Sequence, residues 1–345
     1  MENRYLLRKE DLDGFVSYLA KGCKVAAPVR KGEKSYAFEE VTDGKKISMK
    51  YIPTLLPPKK YFLPQYETLI EYDIEKKLHE AVLYYEDMIL FGVHTCDLAG
   101  IQCLNIALSD APADANYKFR RNKIIIMGLE CTEYCDSYAS CALMKNHYPN
   151  GGYDLFFTEL ENSYIIHAST QAGEKLLLGS GLVRPSDDAA EKELLEVRRK
   201  KDEVFKAELP IAYEELAGLL KNSFDSEVWD QIGEKCLSCG NCTNACPTCY
   251  CYDIEDEVNL DMKTGRLFRK WDSCQNRPFA MIAGGENFRP QRANRQRHRY
   301  MRKFNYLKDR FKRYYCTGCG RCTRSCMAGI SLKETLDELM KEAKK

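Results

Sequence analysis

The stretch CLSCGNCTNACPTCYC, residues 236–251, places six cysteines among sixteen residues. A second stretch, CTGCGRCTRSC at Cys316–Cys326, repeats the cysteine spacing of its first eleven residues and nearly repeats their residue types. Each copy reads CxxCxxCxxxC. Three cysteines on a tight loop can bind three irons of a cubane cluster, while the fourth leaves on the following helix. The duplication therefore predicts two [4Fe–4S] clusters.

The ligands of the two clusters are expected to be exchanged between the motifs, because in two-cluster ferredoxins the fourth cysteine of each motif binds the other cluster. One cluster is then held by Cys236, Cys239, Cys242 and Cys326. The other is held by Cys316, Cys319, Cys322 and Cys246. Gly240 and Gly320 occupy equivalent places, where we expect a side chain to collide with the cluster. Zinc also binds CxxC pairs, but it favours two pairs over three successive cysteines and a fourth.

Composition excludes several other classes of protein. The chain has 345 residues, a formal net charge of +1 and 17 cysteines. It has no signal-peptide pattern and no apolar run long enough to cross a membrane, so we expect a cytoplasmic protein of two domains. Disulfides rarely persist in that compartment, so clustered cysteines indicate metal binding. No dinucleotide-binding glycine motif, Walker loop or HExxH motif is present.

Cysteines outside the two motifs could bind further metal. Between the motifs lie Cys249, Cys251 and Cys274, which supply most of the ligands for a third cluster, although no fourth ligand is evident. The alternative is that they are small buried hydrophobic residues.

A second such group lies in the N-terminal half. Cys96 stands where a strand passes into a helix, a position that favours anionic ligands. If the next strand is a parallel neighbour, the loop LECTEYCDSYASC (Leu129–Cys141) faces Cys96. A metal site on Cys96, Cys131, Cys135 and Cys141 and a redox-silent loop are both open interpretations. Cys23 and Cys103 are expected to be core residues.

Hydrophobic patterning predicts a mixed α/β N-terminal domain over residues 1–185. Its expected elements include strands at Met88–Val93 and Lys123–Leu129, a helix N-capped by Asp97, and a hairpin at 153–169. A helical linker is expected over 186–230. Residues 231–345 are expected to form a ferredoxin-like, α-helical dicluster domain with a long insertion at 250–312.

The stretch NFRPQRANRQRHRYMRKF, residues 287–304, is strongly basic. Because a cluster with four thiolate ligands is a net anion, we expect these arginines and lysines to compensate its charge or to dock an acidic redox partner. A nucleic-acid patch is the weaker alternative, since the protein as a whole is nearly neutral.

Several segments around the cysteines carry a family resemblance: CPTCYCYDIEDEVNLD, RKWDSCQ, AGGENFRP, RQRHRYMRKF, PPKKYFLPQ, FGVHTCDLAGIQ and GYDLFF. They resemble the iron–sulfur (beta) subunits of cytoplasmic NiFe sulfhydrogenases and the related iron–sulfur subunits of anaerobic sulfite reductases, over most of the chain. The resemblance implies that the eight motif cysteines are cluster ligands, and Cys249, Cys251 and Cys274 also match family cysteines. Met327 replaces a usual proline, and the cysteines at 131–141 are spaced differently from the family's closely paired ones.

The resemblance also implies the function. We expect an electron-transfer subunit of an anaerobic oxidoreductase complex, without activity on its own. Its implied partners are a flavoprotein subunit supplied by NAD(P)H or ferredoxin, and a catalytic subunit of the hydrogenase or sulfite reductase type; neither nucleic acid nor a membrane is expected. One rival is an iron–sulfur enzyme with its own substrate-binding cluster, and another is a zinc-dependent nucleic-acid-binding protein.

Overall fold

The computed structural model of the chain describes residues 3–344 and contains two β-sheets within them. The strands are β1 (Arg4–Arg8), β2 (Lys24–Gly32), β3 (Ser35–Val41), β4 (Tyr66–Asp73), β5 (Leu78–Ala81), β6 (Met88–His94), β7 (Ile124–Leu129), β8 (Leu155–Glu159), β9 (Ser163–Ala168), β10 (Val183–Pro185), β11 (Tyr252–Val258) and β12 (Thr264–Trp271). The α-helices are α1 (Leu12–Gly22), α2 (Thr95–Ser109), α3 (Ala115–Lys123), α4 (Gln171–Gly179), α5 (Asp188–Val204), α6 (Leu216–Asn222), α7 (Val228–Lys235), α8 (Asn241–Asn244), α9 (Arg292–Met301), α10 (Leu307–Phe311), α11 (Arg321–Arg324) and α12 (Leu332–Glu342).

The larger sheet has eight strands in the order β10-β1-β9-β8-β7-β6-β2-β3. The neighbours β2, β6, β7 and β8 are parallel, and antiparallel strands flank them on both sides. The central strands β6 and β7 are apolar and almost wholly buried, as is usual for parallel strands. This sheet confirms the mixed α/β prediction, and β8 and β9 form the predicted hairpin.

The parallel pairing of β6 with β7 positions two of the loops that matter for function. His94 at the end of β6 is in register with Leu129 at the end of β7. Because parallel strands end at the same edge of a sheet, the chain leaves both strands side by side. Cys96 and Cys131 therefore emerge next to each other.

The prediction that Asp97 caps the following helix is wrong. α2 begins at Thr95, and Asp97 lies in its first turn. The Asp97 carboxylate instead pairs with Arg321 from the second cysteine motif, with Nη1–Oδ1 and Nη2–Oδ2 distances of 2.7 and 2.8 Å. A partner more than 200 residues away in sequence, at a separation of 224, therefore determines the role of this carboxylate.

The smaller sheet joins the insertion to the N-terminal half, in the order β11-β12-β4-β5. β12 pairs antiparallel with β4 from Thr264↔Asp73 to Lys270↔Tyr66. At its buried end Glu67 on β4 accepts a hydrogen bond of 2.8 Å from Arg269 on β12 and also pairs with Arg120. The first part of the insertion is therefore a β-hairpin anchored on the N-terminal half by buried ion pairs.

The C-terminal region is helical around the two cysteine motifs. α9 continues through a π-helical turn, Arg302–Tyr306, into α10. Trp229 on α7, Tyr300 on α9 and Leu336 on α12 belong to one buried apolar cluster. Within residues 3–344, no helix is both long and apolar enough to cross a membrane.

Candidate iron–sulfur centres

The first cysteine cavity is lined by five cysteines of the two motifs. Four of them, Cys236, Cys239, Cys242 and Cys326, are the set predicted for one cluster, and the fifth is Cys322. Donors point at their sulfurs: Gln296 Nε2 lies 2.9 Å from Cys236 Sγ, and the Ile330 amide lies 3.3 Å from Cys326 Sγ. Hydrogen bonds to the sulfurs are one means by which proteins stabilise cluster thiolates.

The second cysteine cavity adjoins the first. It is lined by Cys246, Cys316, Cys319 and Cys322, the set predicted for the other cluster. Cys242 and Cys322 border both cavities, whereas Cys326 reaches only the first and Cys246 only the second. The structure thus places the fourth cysteine of each motif at the cavity of the other motif.

The glycines after the second cysteine of each motif are required by the structure of the loops themselves. Gly240 and Gly320 have φ of 75° and 72°, in the left-handed region, at the N-caps of α8 and α11. A Cβ on Gly320 would lie 2.8 Å from the carbonyl carbon of Tyr138, and one on Gly240 would lie 3.0 Å from Cβ of Ser273. Backbone conformation and close packing of neighbouring loops therefore require glycine here.

Buried cations lie against both cavities. Arg299 on α9 is 5% exposed and lines the first and the second cavity. Although burial lowers the pKa of Arg299, the Cys242 and Cys322 sulfurs raise it above its ordinary value. Among the described residues, neither Arg299 nor Lys303 lies within ion-pair distance of a carboxylate. Because a buried cation without an anion is costly, these two side chains indicate anionic sulfur in the cavities.

Lys303 extends this charge compensation to the insertion. Its Nζ lies 3.1 Å from Cys246 Sγ and 3.2 Å from Cys249 Sγ, and it donates to Thr248 Oγ1 at 2.6 Å. Lys303 stands in the π-helical turn, a feature that is frequent at functional sites. The spacing of four residues from Arg295 to Arg299 to Lys303 places the three cations on one helix face, a signal that the sequence contains.

The three cysteines of the insertion are brought together, as expected for a shared site. Cys251 is a close neighbour of Cys274, and Cys249 is a close neighbour of Cys246. The Cys274 thiol lowers the pKa of Cys251. Metal binding by this group stays a prediction.

Lys59 is a residue that sequence reasoning missed. Its buried Nζ donates to the Cys249 carbonyl oxygen at 2.9 Å and lies 4.1 Å from the ring centroid of Trp271. Burial lowers the pKa of Lys59 to about 8. The PPKKYFLPQ segment contains this lysine, but no local pattern indicates that it reaches a loop 190 residues further along the chain.

The structure also brings together the four N-terminal cysteines. Cys131 and Cys135 line one surface depression beside His94. Burial raises the pKa of the Cys96, Cys135 and Cys141 thiols, and the charge of Cys131 raises each of them further. Cys131 is therefore a neighbour of all three. Cys103 is buried as predicted, whereas Cys23 is only partly buried against the core.

Two adjoining cavities, each lined by five motif cysteines of which two are shared, and both lined by a buried arginine, are the site of a dicluster iron–sulfur protein. In agreement, residues 235–330 match the family model described as "4Fe-4S dicluster domain". The chain is 36% identical over 340 residues to Sulfhydrogenase 2 subunit beta of Pyrococcus furiosus, an alignment that covers 97% of this chain and 98% of that protein. No solved structure matches the chain. The chain belongs to the family of sulfhydrogenase beta subunits, and it is an iron–sulfur electron-transfer subunit.

Proposed function

We propose that the chain relays electrons within a cytoplasmic, anaerobic oxidoreductase complex. Its partners would be a flavoprotein subunit that oxidises NAD(P)H or ferredoxin and a catalytic subunit of the hydrogenase or sulfite reductase type. The observation that carries the proposal is the contact between the two cysteine cavities, which share Cys242, Cys322 and Arg299. When bound, [4Fe–4S] clusters accept and release single electrons.

The proposed ligands follow the two cavities. Cys236, Cys239, Cys242 and Cys326 would hold one cluster, and Cys316, Cys319, Cys322 and Cys246 the other. Gln296 and Lys303 would donate hydrogen bonds to these thiolates, and Arg299 would offset their charge. Fixed donors of this kind tune the reduction potential of a cluster.

We also propose a division of labour along the chain. Residues 1–185 would bind a partner subunit, 186–230 would link the halves, and 231–345 would form the ferredoxin-like dicluster unit with its insertion at 250–312. The pairing of β12 with β4 supports a fixed, rather than mobile, position of the insertion against residues 1–185.

Anaerobic purification of the native complex tests this function. We expect a brown complex with absorbance near 400 nm, in which NAD(P)H or reduced ferredoxin bleaches the clusters of this chain. The isolated chain should contain iron and sulfide but should neither oxidise hydrogen nor reduce sulfite. A colourless, zinc-loaded chain, or turnover by the chain alone, would contradict the proposal.

The exchange of ligands can be tested separately. Cys326→Ser should perturb the cluster of the first motif, and Cys246→Ser that of the second. Variants of cysteines that bind the same cluster should show the same altered electron paramagnetic resonance spectrum. Cys326→Ser should therefore match Cys236→Ser, and Cys246→Ser should match Cys316→Ser. Matching spectra within each motif instead would show that the ligands are not exchanged.

A further inference from the structure

Four cysteines outside the dicluster motifs converge at one edge of the large sheet. Cys96 is the second residue of α2, directly after β6. Cys131, Cys135 and Cys141 lie in the loop that follows β7. Because β6 and β7 are parallel neighbours, the start of α2 and this loop leave the sheet together. The topology therefore gathers sulfurs from two separate segments.

Direct contacts hold these segments in place. Thr95, the residue before Cys96, lies beside Cys131: burial raises the pKa of the Cys131 thiol, and the Thr95 amide and hydroxyl act in the opposite direction. Cys131 and Cys135 line the same depression, together with His94. Cys131 also acts electrostatically on Cys96, Cys135 and Cys141. One sulfur thus lies at the centre of the group, within interaction range of the other three.

The start of a helix and two buried ion pairs lie beside the four cysteines. Cys96 lies in the first turn of the 15-residue helix α2, whose free amides and dipole favour negative charge. Two buried ion pairs lie beside the group, Arg321–Asp97 near Cys96 and Lys201–Glu130 near Cys131, and all four of their side chains have 0% exposure. Burial raises the pKa of all four thiols, so the bound metal itself would stabilise the thiolates.

The cysteine loop is also built against the second cluster motif. The Ser140 amide donates to the Gly318 carbonyl oxygen at 2.7 Å. Arg324 Nε donates to the Asp136 carboxylate at 2.7 Å. Burial, Asp97 and then Cys319 of the second cavity raise the pKa of the Cys96 thiol, so Cys319 is a neighbour of Cys96. The four cysteines are thus neighbours of the second cavity and not a remote site.

We propose that Cys96, Cys131, Cys135 and Cys141 bind a third [4Fe–4S] cluster. Its place in an electron relay rests on the proposed function, in which the second cavity holds a cluster beside it. The insertion cysteines are the competing group, but they are three, and Cys246, the motif cysteine beside Cys249, is already assigned to the second cluster. The depression beside Cys131 and Cys135 places the third cluster near the surface, within reach of a partner.

Metal analysis of the anaerobically reconstituted full chain tests the site. Three four-iron clusters predict about 12 iron atoms and as many sulfides per chain, and two clusters predict about 8. Cys131→Ser and Cys135→Ser should each lose about four irons. Two control variants should leave the iron content unchanged. They are Cys23→Ser, at a partly buried cysteine outside the three cysteine groups, and Cys251→Ser in the insertion.

A second measurement does not depend on how the variants fold. In the loaded wild-type chain Cys131 and Cys135, although they line an open depression, should resist alkylation, and chelation of iron should expose them. Rapid alkylation before chelation, or about 8 irons and one zinc in the wild type, would overturn the site. If Cys236→Ser and Cys316→Ser lower the iron content and Cys131→Ser does not, this site alone fails. If none of the three lowers it, the proposed function fails as well.

Discussion

Breaking the Arg321–Asp97 ion pair should markedly destabilise the protein. Both side chains have 0% exposure, and the pair joins the second cysteine motif to the first turn of α2. Arg321→Met leaves the Asp97 carboxylate buried without a cation, a change that costs about 3–5 kcal/mol. At an unfolding entropy of about 2.1 cal/mol/K per residue, a chain of 345 residues should then melt about 4–7 °C lower.

Circular dichroism of the iron-loaded chain, melted under anaerobic conditions, measures this change. Arg199→Met is the matched control, because Arg199 also has two carboxylate partners, Glu196 and Glu203, but its side chain is 58% exposed. An exposed pair contributes about 0–1 kcal/mol, so the control should melt within about 1 °C of the wild type.

The double variant Arg321→Met/Asp97→Asn completes the test. Because it removes both charges, it should lose less stability than the sum of the two single variants. Equal melting temperatures for Arg321→Met and Arg199→Met would refute the argument from burial. Strict additivity of the two single variants would refute the pairing itself.

Three further outcomes are expected. Lys303→Met removes a positive charge 3.1 Å from Cys246 Sγ. In a redox titration, the reduction potential of the second cluster should become more negative by on the order of 100 mV. Lys303→Arg keeps the charge and should shift the potential little. Gly320→Ala should melt well below Gly329→Ala, since both have positive φ but only Gly320 has backbone within 3 Å of the added Cβ; equal melting would contradict this. The Leu237 side chain is 62% exposed beside the first cavity, and Leu237→Glu should weaken binding of a partner subunit without loss of iron. Leu195, on α5, is 67% exposed, and Leu195→Glu should leave that binding unchanged. Equal binding by both variants would place the interface elsewhere.

The cysteine motifs could be interpreted from sequence because their chemistry is local. Three ligands on one loop have a fixed spacing, and the duplication identified both loops. The N-terminal cysteines could be grouped only conditionally, since their proximity depends on β6 and β7 being parallel neighbours. Asp97 was misassigned for the same reason. Its local pattern is that of a helix cap, but Arg321 lies beyond the range of any local pattern.

The insertion shows most clearly where sequence reasoning ends. β12 pairs with β4 across a separation of about 190 residues, and neither strand has a pattern that identifies its partner. Lys59 reaches Cys249 only because this pairing places the segment after β3 beside the insertion. The charge of the basic stretch was evident, but its burial was not, since arginine is seldom buried without an anion that the sequence can identify.

The interface between the two halves is made largely of the loops that present the cysteines. Gly100 on α2 has no room for a side chain because Pro247, next to Cys246, packs against it, and Gly318 is likewise closed off by the backbone of Ser140. Metal binding orders such loops, so part of its free energy becomes folding free energy of the interface. Cluster loading and docking of the N-terminal half should therefore be thermodynamically linked. The fully buried ion pair of Arg321 with Asp97, which joins the two halves, would contribute to this link.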